Sequence, residues 1–151
     1  MSDPATVEEK IEAALFAQVA AMEFDEPAPQ IAWPNVDFPG EVDGVPLPKP
    51  AVYLEVRHFR NSNTRLMVKG SAPHLRQGIL QIRVVTPLNA GATQATVLAG
   101  QVAEQFPADL PLFESGVKVR IQTAPDVGTG SMTGDGVSWM VPVSVRYEAF
   151  A

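Results

Sequence analysis

Cysteine is absent from all 151 residues. That excludes a disulfide framework and thiolate metal sites, and it fits assembly in a reducing cytoplasm. No run comes near the ~20 apolar residues a membrane-spanning helix needs. The opening stretch, MSDPATVEEK, is polar and acidic where a secretory signal is basic and then apolar. The expectation is a soluble protein made in the cytoplasm, with no membrane partner. Histidine is scarce: His58 and His74 stand alone, without HExxH or HxH spacing. No serine occupies a GxSxG elbow. Asp109, Glu114 and Asp126 fall in or beside expected loops without pairing. Nothing in the sequence calls for a catalytic residue, a cofactor or a metal, and the expectation is that the protein is not an enzyme.

What the chain does have is apolar content, 46% of residues. A single domain over residues 1–151 buries about 70% of the surface its unfolded chain exposes, so a core forms without staples. The net charge of -6 hides an asymmetry. Ten acids lie between Asp3 and Asp43, while none lies between Glu55 and Glu104. Arg57, Arg60, Arg65, Lys69, Arg76 and Arg83 fall in that acid-free stretch. Such a chain can dock head-to-tail on copies of itself, and heterologous contacts of that kind close into rings. The same charges also fit ordinary solvated faces. Nucleic acid is disfavoured by the overall acidity and by the lack of aromatics among the arginines, Phe59 apart.

Val7, Ile11, Ala14, Leu15, Val19 and Met22 recur at helical spacing, predicting an amphipathic helix from Pro4 to Met22 with Asp3 as its cap. Seven prolines from Pro27 to Pro50 then rule out a helix and most ladder pairing across an extended segment, residues 23–50. Ile31, Trp33, Val36 and Phe38 are too apolar for a bare linker and should pack on the body; residues 41–50 read as more mobile.

Strands follow. Ala51 to Phe59 alternates, with Val52, Leu54, Val56 and His58 on one face, and Thr64 to Lys69 returns across Asn61-Ser62-Asn63 as a hairpin. His58 reads as a buried or interface histidine, and His74 as an exposed turn residue. Arg76 to Thr86 is the third strand, and Gly91 to Phe106 the second helix, with Thr93 as a possible cap. Gly116 to Ala124 is the fourth strand. The last carries Trp139, Val141, Val143, Val145 and Tyr147 on its inner face, and Pro142 places it at an edge or a bulge. The expected fold is α+β: a two-layer domain with a largely antiparallel or mixed sheet of about five strands and two helices on one face, in the order α-β-β-β-α-β-β.

The loop from Gly128 to Gly136 has no P-loop lysine, opens no helix and lacks the carboxylate spacing of a calcium loop. It reads as a flexible hairpin tip, or more sharply as a contact arm with Met132 at its tip and Asp135 beyond it. The outward row Arg57, Arg83, Lys118, Arg120 and Arg146 reads either as cross-strand pairing with Glu55 and Glu148 or as a docking face. The candidate contact residues are therefore Arg57, Arg60, Arg65, Lys69, Arg83, Trp33, Met132 and Asp135.

Four features in order carry a resemblance. A helix precedes Ile31-Ala32-Trp33-Pro34-Asn35-Val36; then come Tyr53-Leu54-Glu55-Val56, Gly78-Ile79-Leu80-Gln81-Ile82-Arg83-Val84 and Val141-Pro142-Val143-Ser144-Val145-Arg146-Tyr147. Over nearly the whole chain this resembles the small tail terminator or tail-completion proteins of siphophages, prophages and gene-transfer particles. The resemblance implies a structural virion protein that caps the tail tube as a ring, commonly a hexamer, and ends tube polymerisation. Its implied partners are itself, the tail tube protein and the neck or head-completion proteins at the head–tail joint. A neck connector subunit shares this size and class. A small-ligand domain would need polar breaks in the inward faces, which are uniformly apolar.

Overall fold

The computed structural model describes residues 6–24, 28–61, 64–65 and 74–151. Thr6 precedes the first helix, α1 (Val7–Ala20), whose buried stripe is Val7, Ile11, Ala14, Leu15 and Val19. The helix starts three residues later than the sequence suggests, and Asp3 and Pro4 lie outside the described residues. The second helix, α2 (Thr93–Glu104), buries Ala95, Ala99 and Val102, with Phe106 just beyond it. Thr93 is its first residue and Ala92 its cap position.

The strands are β1 (Gln30–Ala32), β2 (Glu41–Val42), β3 (Val45–Pro46), β4 (Tyr53–Arg60), β5 (Thr64–Arg65), β6 (His74–Pro87), β7 (Pro111–Glu114), β8 (Val117–Ile121), β9 (Asp126–Val127), β10 (Ser131–Met132) and β11 (Ser138–Phe150). Nine form one sheet along the order β1-β4-β6-β11-β8-β7, with β5 on β6 and β9 and β10 on β11; β2 and β3 form a separate hairpin. Only β1–β4 is parallel. The class is α+β as expected, with more strands than five because the extra ones are two to four residues long.

Both helices share one core with the inner residues Leu54, Val56, Leu80, Ile82, Val84, Val119, Ile121, Val143, Val145 and Tyr147. The sheet is curled, so α1 meets it at both ends. It packs on β7 and β8, while Phe16 and Glu12 reach Trp33 after β1 and His58 on β4. On the opposite face Ala32, Tyr53 and Val85 form a smaller cluster covered by Phe38 and Met140.

Several local expectations are corrected. Thr64 and Arg65 do not fold back on β4; they pair with Leu75 and His74, continuing down the same side of β6. Residues 62–63 and 66–73 lie outside the described set. His74 opens β6, its N–H and C=O both bonded to Ala151. The Pro-rich segment contributes β1 and the β2–β3 hairpin, where Asp43 and Gly44 both take positive φ (53° and 77°), the geometry of a two-residue primed turn. Ile31, Trp33 and Phe38 do pack inward, whereas Val36 is exposed.

Of the edge or bulge expected at Pro142, the edge is corrected, because β11 is central. Gly128 donates to the Pro142 carbonyl at 2.8 Å. In a strand the N–H and C=O of one residue point to the same side, so the missing donor faces β9 and β10. There β10 covers Trp139 and Met140 and β9 covers Val143 and Ser144. The proline stands in the gap between them, where no ladder carbonyl waits for it.

Candidate subunit interface

The acidic and basic regions of the sequence meet inside the molecule. Arg60 contacts Glu12 at 2.7 Å and Glu8 at 3.3 Å, and Arg76 reaches Glu8 at 2.9 Å. On the outer face Glu55 takes Arg57 at 2.8 Å and Arg83 at 3.0 Å. Arg120 bonds Glu148 and Asp109, and Arg146 lies 3.7 Å from Asp126. Lys118 stands 6.0 Å from the Phe113 ring centroid. The outward row is thus tied to acids or rings of its own chain. Exposed pairs of this kind contribute about 0–1 kcal/mol each, and they leave little bare positive charge.

Beneath Arg60, α1 is keyed to the sheet by a buried chain of bonds. His58 Nδ1 lies 2.8 Å from Glu12 and His58 Nε2 lies 2.5 Å from the Tyr147 hydroxyl. An ionised carboxylate can only accept, so Nδ1 carries the proton and donates, and Nε2 accepts from Tyr147. Neutral His58 is therefore fully satisfied. Burial lowers its pKa, with the Glu12 bond opposing, and burial pushes the Tyr147 phenol up to about 12. Gly78 leaves room for this arrangement, since a Cβ there would meet Phe59 O at 2.3 Å and the Tyr147 hydroxyl at 2.6 Å. The His58 side chain is 2% exposed, and its bonds join α1 to β4 and β11. No group of three metal-ligating side chains occurs among the described residues.

Of the other expected contact residues, Trp33 is half-buried, 5.2 Å from the Phe16 ring. Met132 is exposed on β10. The glycine-rich loop is mostly laid along β11, because Gly130 rests on the Trp139 ring and Gly128 on Pro142. Only residues 133–137 form a tip. There Asp135 accepts from Thr133 Oγ1 at 2.5 Å and Val137 N at 3.1 Å, and those two bonds hold its carboxyl below the ordinary value. The Arg65 side chain and all of Lys69 lie outside the described residues.

Sequence reasoning missed the β2–β3 hairpin as a surface. Gly40 O and Leu47 N close its base at 2.9 Å, and every residue from Glu41 to Lys49 is exposed. Val42, Val45 and Leu47 are 56%, 65% and 41% exposed. An isolated two-stranded hairpin is marginal in water, and this one turns three apolar side chains to solvent. The signal was Asp43-Gly44 between Val42 and Val45, hidden among prolines. A second apolar surface lies elsewhere: a groove of about 570 Å³ between α2 and the β1 side of the sheet, walled by Phe24, Pro29, Val52, Val97 and Leu98. Among the described residues β1 covers β4 only as far as Glu55, and Phe59 beyond it is exposed.

A solved structure with 26% sequence identity matches 94% of this chain and 94% of its own, with a TM-score of 0.70. No curated protein matches. The profile of the phage tail terminator protein family matches residues 10–147, from within α1 to Tyr147 on β11. The chain belongs to the phage tail terminator family, and by that membership it is a structural component of a phage tail.

Proposed function

We propose that the protein caps the tail tube as a ring, commonly six copies in the form the resemblance implies. It ends tube polymerisation there and forms the tail side of the head–tail joint. The observation that carries this reading is the exposed apolar surface of a tail terminator chain, which falls in separate places. Val42, Val45 and Leu47 lie on the β2–β3 hairpin, Met132 and Val137 near the 133–137 tip, and Phe59 and Phe113 on β4 and β7. Scattered exposed residues need no explanation, but clusters mark contacts. A subunit of a ring between a tube and a neck has neighbours on several sides. Arg57, Met132 and Asp135 are exposed and are proposed contact residues; Trp33 anchors the segment that leads to the hairpin.

The test is polymerisation of the tail tube protein with and without this chain. A cap gives tubes whose growth stops at substoichiometric protein, with the chain found at one end. Tubes that grow unchanged, with the chain bound instead to a portal-proximal adaptor, would replace the terminator reading with that of a neck connector.

A further inference from the structure

Among the described residues two apolar surfaces lack a partner, and they are complementary in kind. The β2–β3 hairpin is convex and narrow, and it carries Val42, Val45 and Leu47 outward. The groove beside α2 is concave, walled by Phe24, Val52, Val97 and Leu98, and no residue of the hairpin lines it. We propose that the hairpin of one copy seats in the α2 groove of the next, making the head-to-tail contact of the ring; this rests on the ring reading above.

Three features favour a second copy as the occupant. The contact is heterologous, hairpin to groove, so each subunit offers one of each, the kind of contact from which rings are built. Charge also fits. Glu41 and Asp43 flank the hairpin's apolar residues and form no ion pair among the described residues. Among the described residues the groove's lining carries no charged side chain, and Gln94 and Gln101 supply amide donors for those carboxylates at its wall. Finally, the hairpin's base is closed by Gly40 and Leu47 and its turn is set by Asp43 and Gly44. It is a preformed probe, so little chain ordering opposes docking.

The absence of native cysteine makes the test clean. Full-length chains carrying Val45→Cys and Val97→Cys, with different tags, are mixed and treated with a short bis-maleimide. Phe113→Cys, exposed and outside the groove's lining, is the control. The expected result is V45C joined to V97C and not to F113C. In parallel, Val97→Arg should raise the concentration for half-assembly at least tenfold while leaving thermal unfolding unchanged, because Val97 is 55% exposed. A ring that forms normally with V97R, or V45C joined only to itself or to the tube protein, overturns the hairpin–groove contact and leaves the ring cap standing. A chain that stays monomeric both free and on tube ends overturns the ring, and this contact with it.

Discussion

Replacing Tyr147 by phenylalanine isolates the bond that holds His58. The ring stays, so no cavity opens, and only the hydroxyl 2.5 Å from Nε2 is lost. His58 Nε2 then remains buried as an acceptor with no donor, a situation that costs about 1–3 kcal/mol. For a domain of this size, about 2 kcal/mol moves a urea midpoint by roughly 1 M, with an m-value near 2 kcal/mol/M. It lowers Tm by roughly 4–8 °C. Equilibrium urea unfolding at neutral pH, followed by far-UV circular dichroism, reads it directly. The decisive comparison is a cycle with His58→Leu. Glu12 keeps Arg60 in that variant, so removing the acceptor as well as the donor should restore part of the loss. Coupling of about 0.5–3 kcal/mol is the range for contacting residues. Strictly additive losses, or an unchanged midpoint in Tyr147→Phe alone, would refute the bonding scheme and the assigned tautomer with it.

The same two groups predict a pH profile. His58 is held below its ordinary value by burial, so the unfolded chain binds its proton first and stability falls as pH drops below about 6.5. Tyr147 ionises near 10 when unfolded and at about 12 when folded; stability should fall from pH 10 upward, and this limb should be missing in Tyr147→Phe. Gly78→Ala drives a Cβ into Phe59 O and should destabilise by about 1–3 kcal/mol through overpacking, measured by the same unfolding curves. Trp33→Ala removes the ring that packs on Phe16; about 2 kcal/mol is expected for a half-buried aromatic, below the 3–5 of a full core site. Light scattering on that variant tells whether assembly suffers beyond it.

How far the sequence could be read depended on element length. The 14- and 13-residue strands β6 and β11 each show enough alternation to declare inner faces, and those faces are the core. Strands of two to four residues show no period at all. The Ser115-Gly116 turn, with both φ values positive, joins β7 to β8, yet Pro111 masked the first of that pair. The ion pairs within the chain were hidden for a different reason: residues 8 and 60 are far apart in sequence, and the packing of α1 beside β4 brings Glu8 to Arg60. The pairing of distant acids and bases is a property of topology, which composition does not encode. The β2–β3 hairpin was missed because its prolines argue against ladders while its Asp-Gly turn argues for one.

The central position of β11 bears on when the protein can act. This strand follows every other in the chain, yet it is the one that β6, β8, β9 and β10 all need. A nascent chain therefore leaves the ribosome with β6 and β8 still separate and the core open on one side. Translation is slow, about 5–20 residues per second, so that unfinished state lasts for seconds on every polysome. A chain built this way closes its core only once β11 has paired with its neighbours.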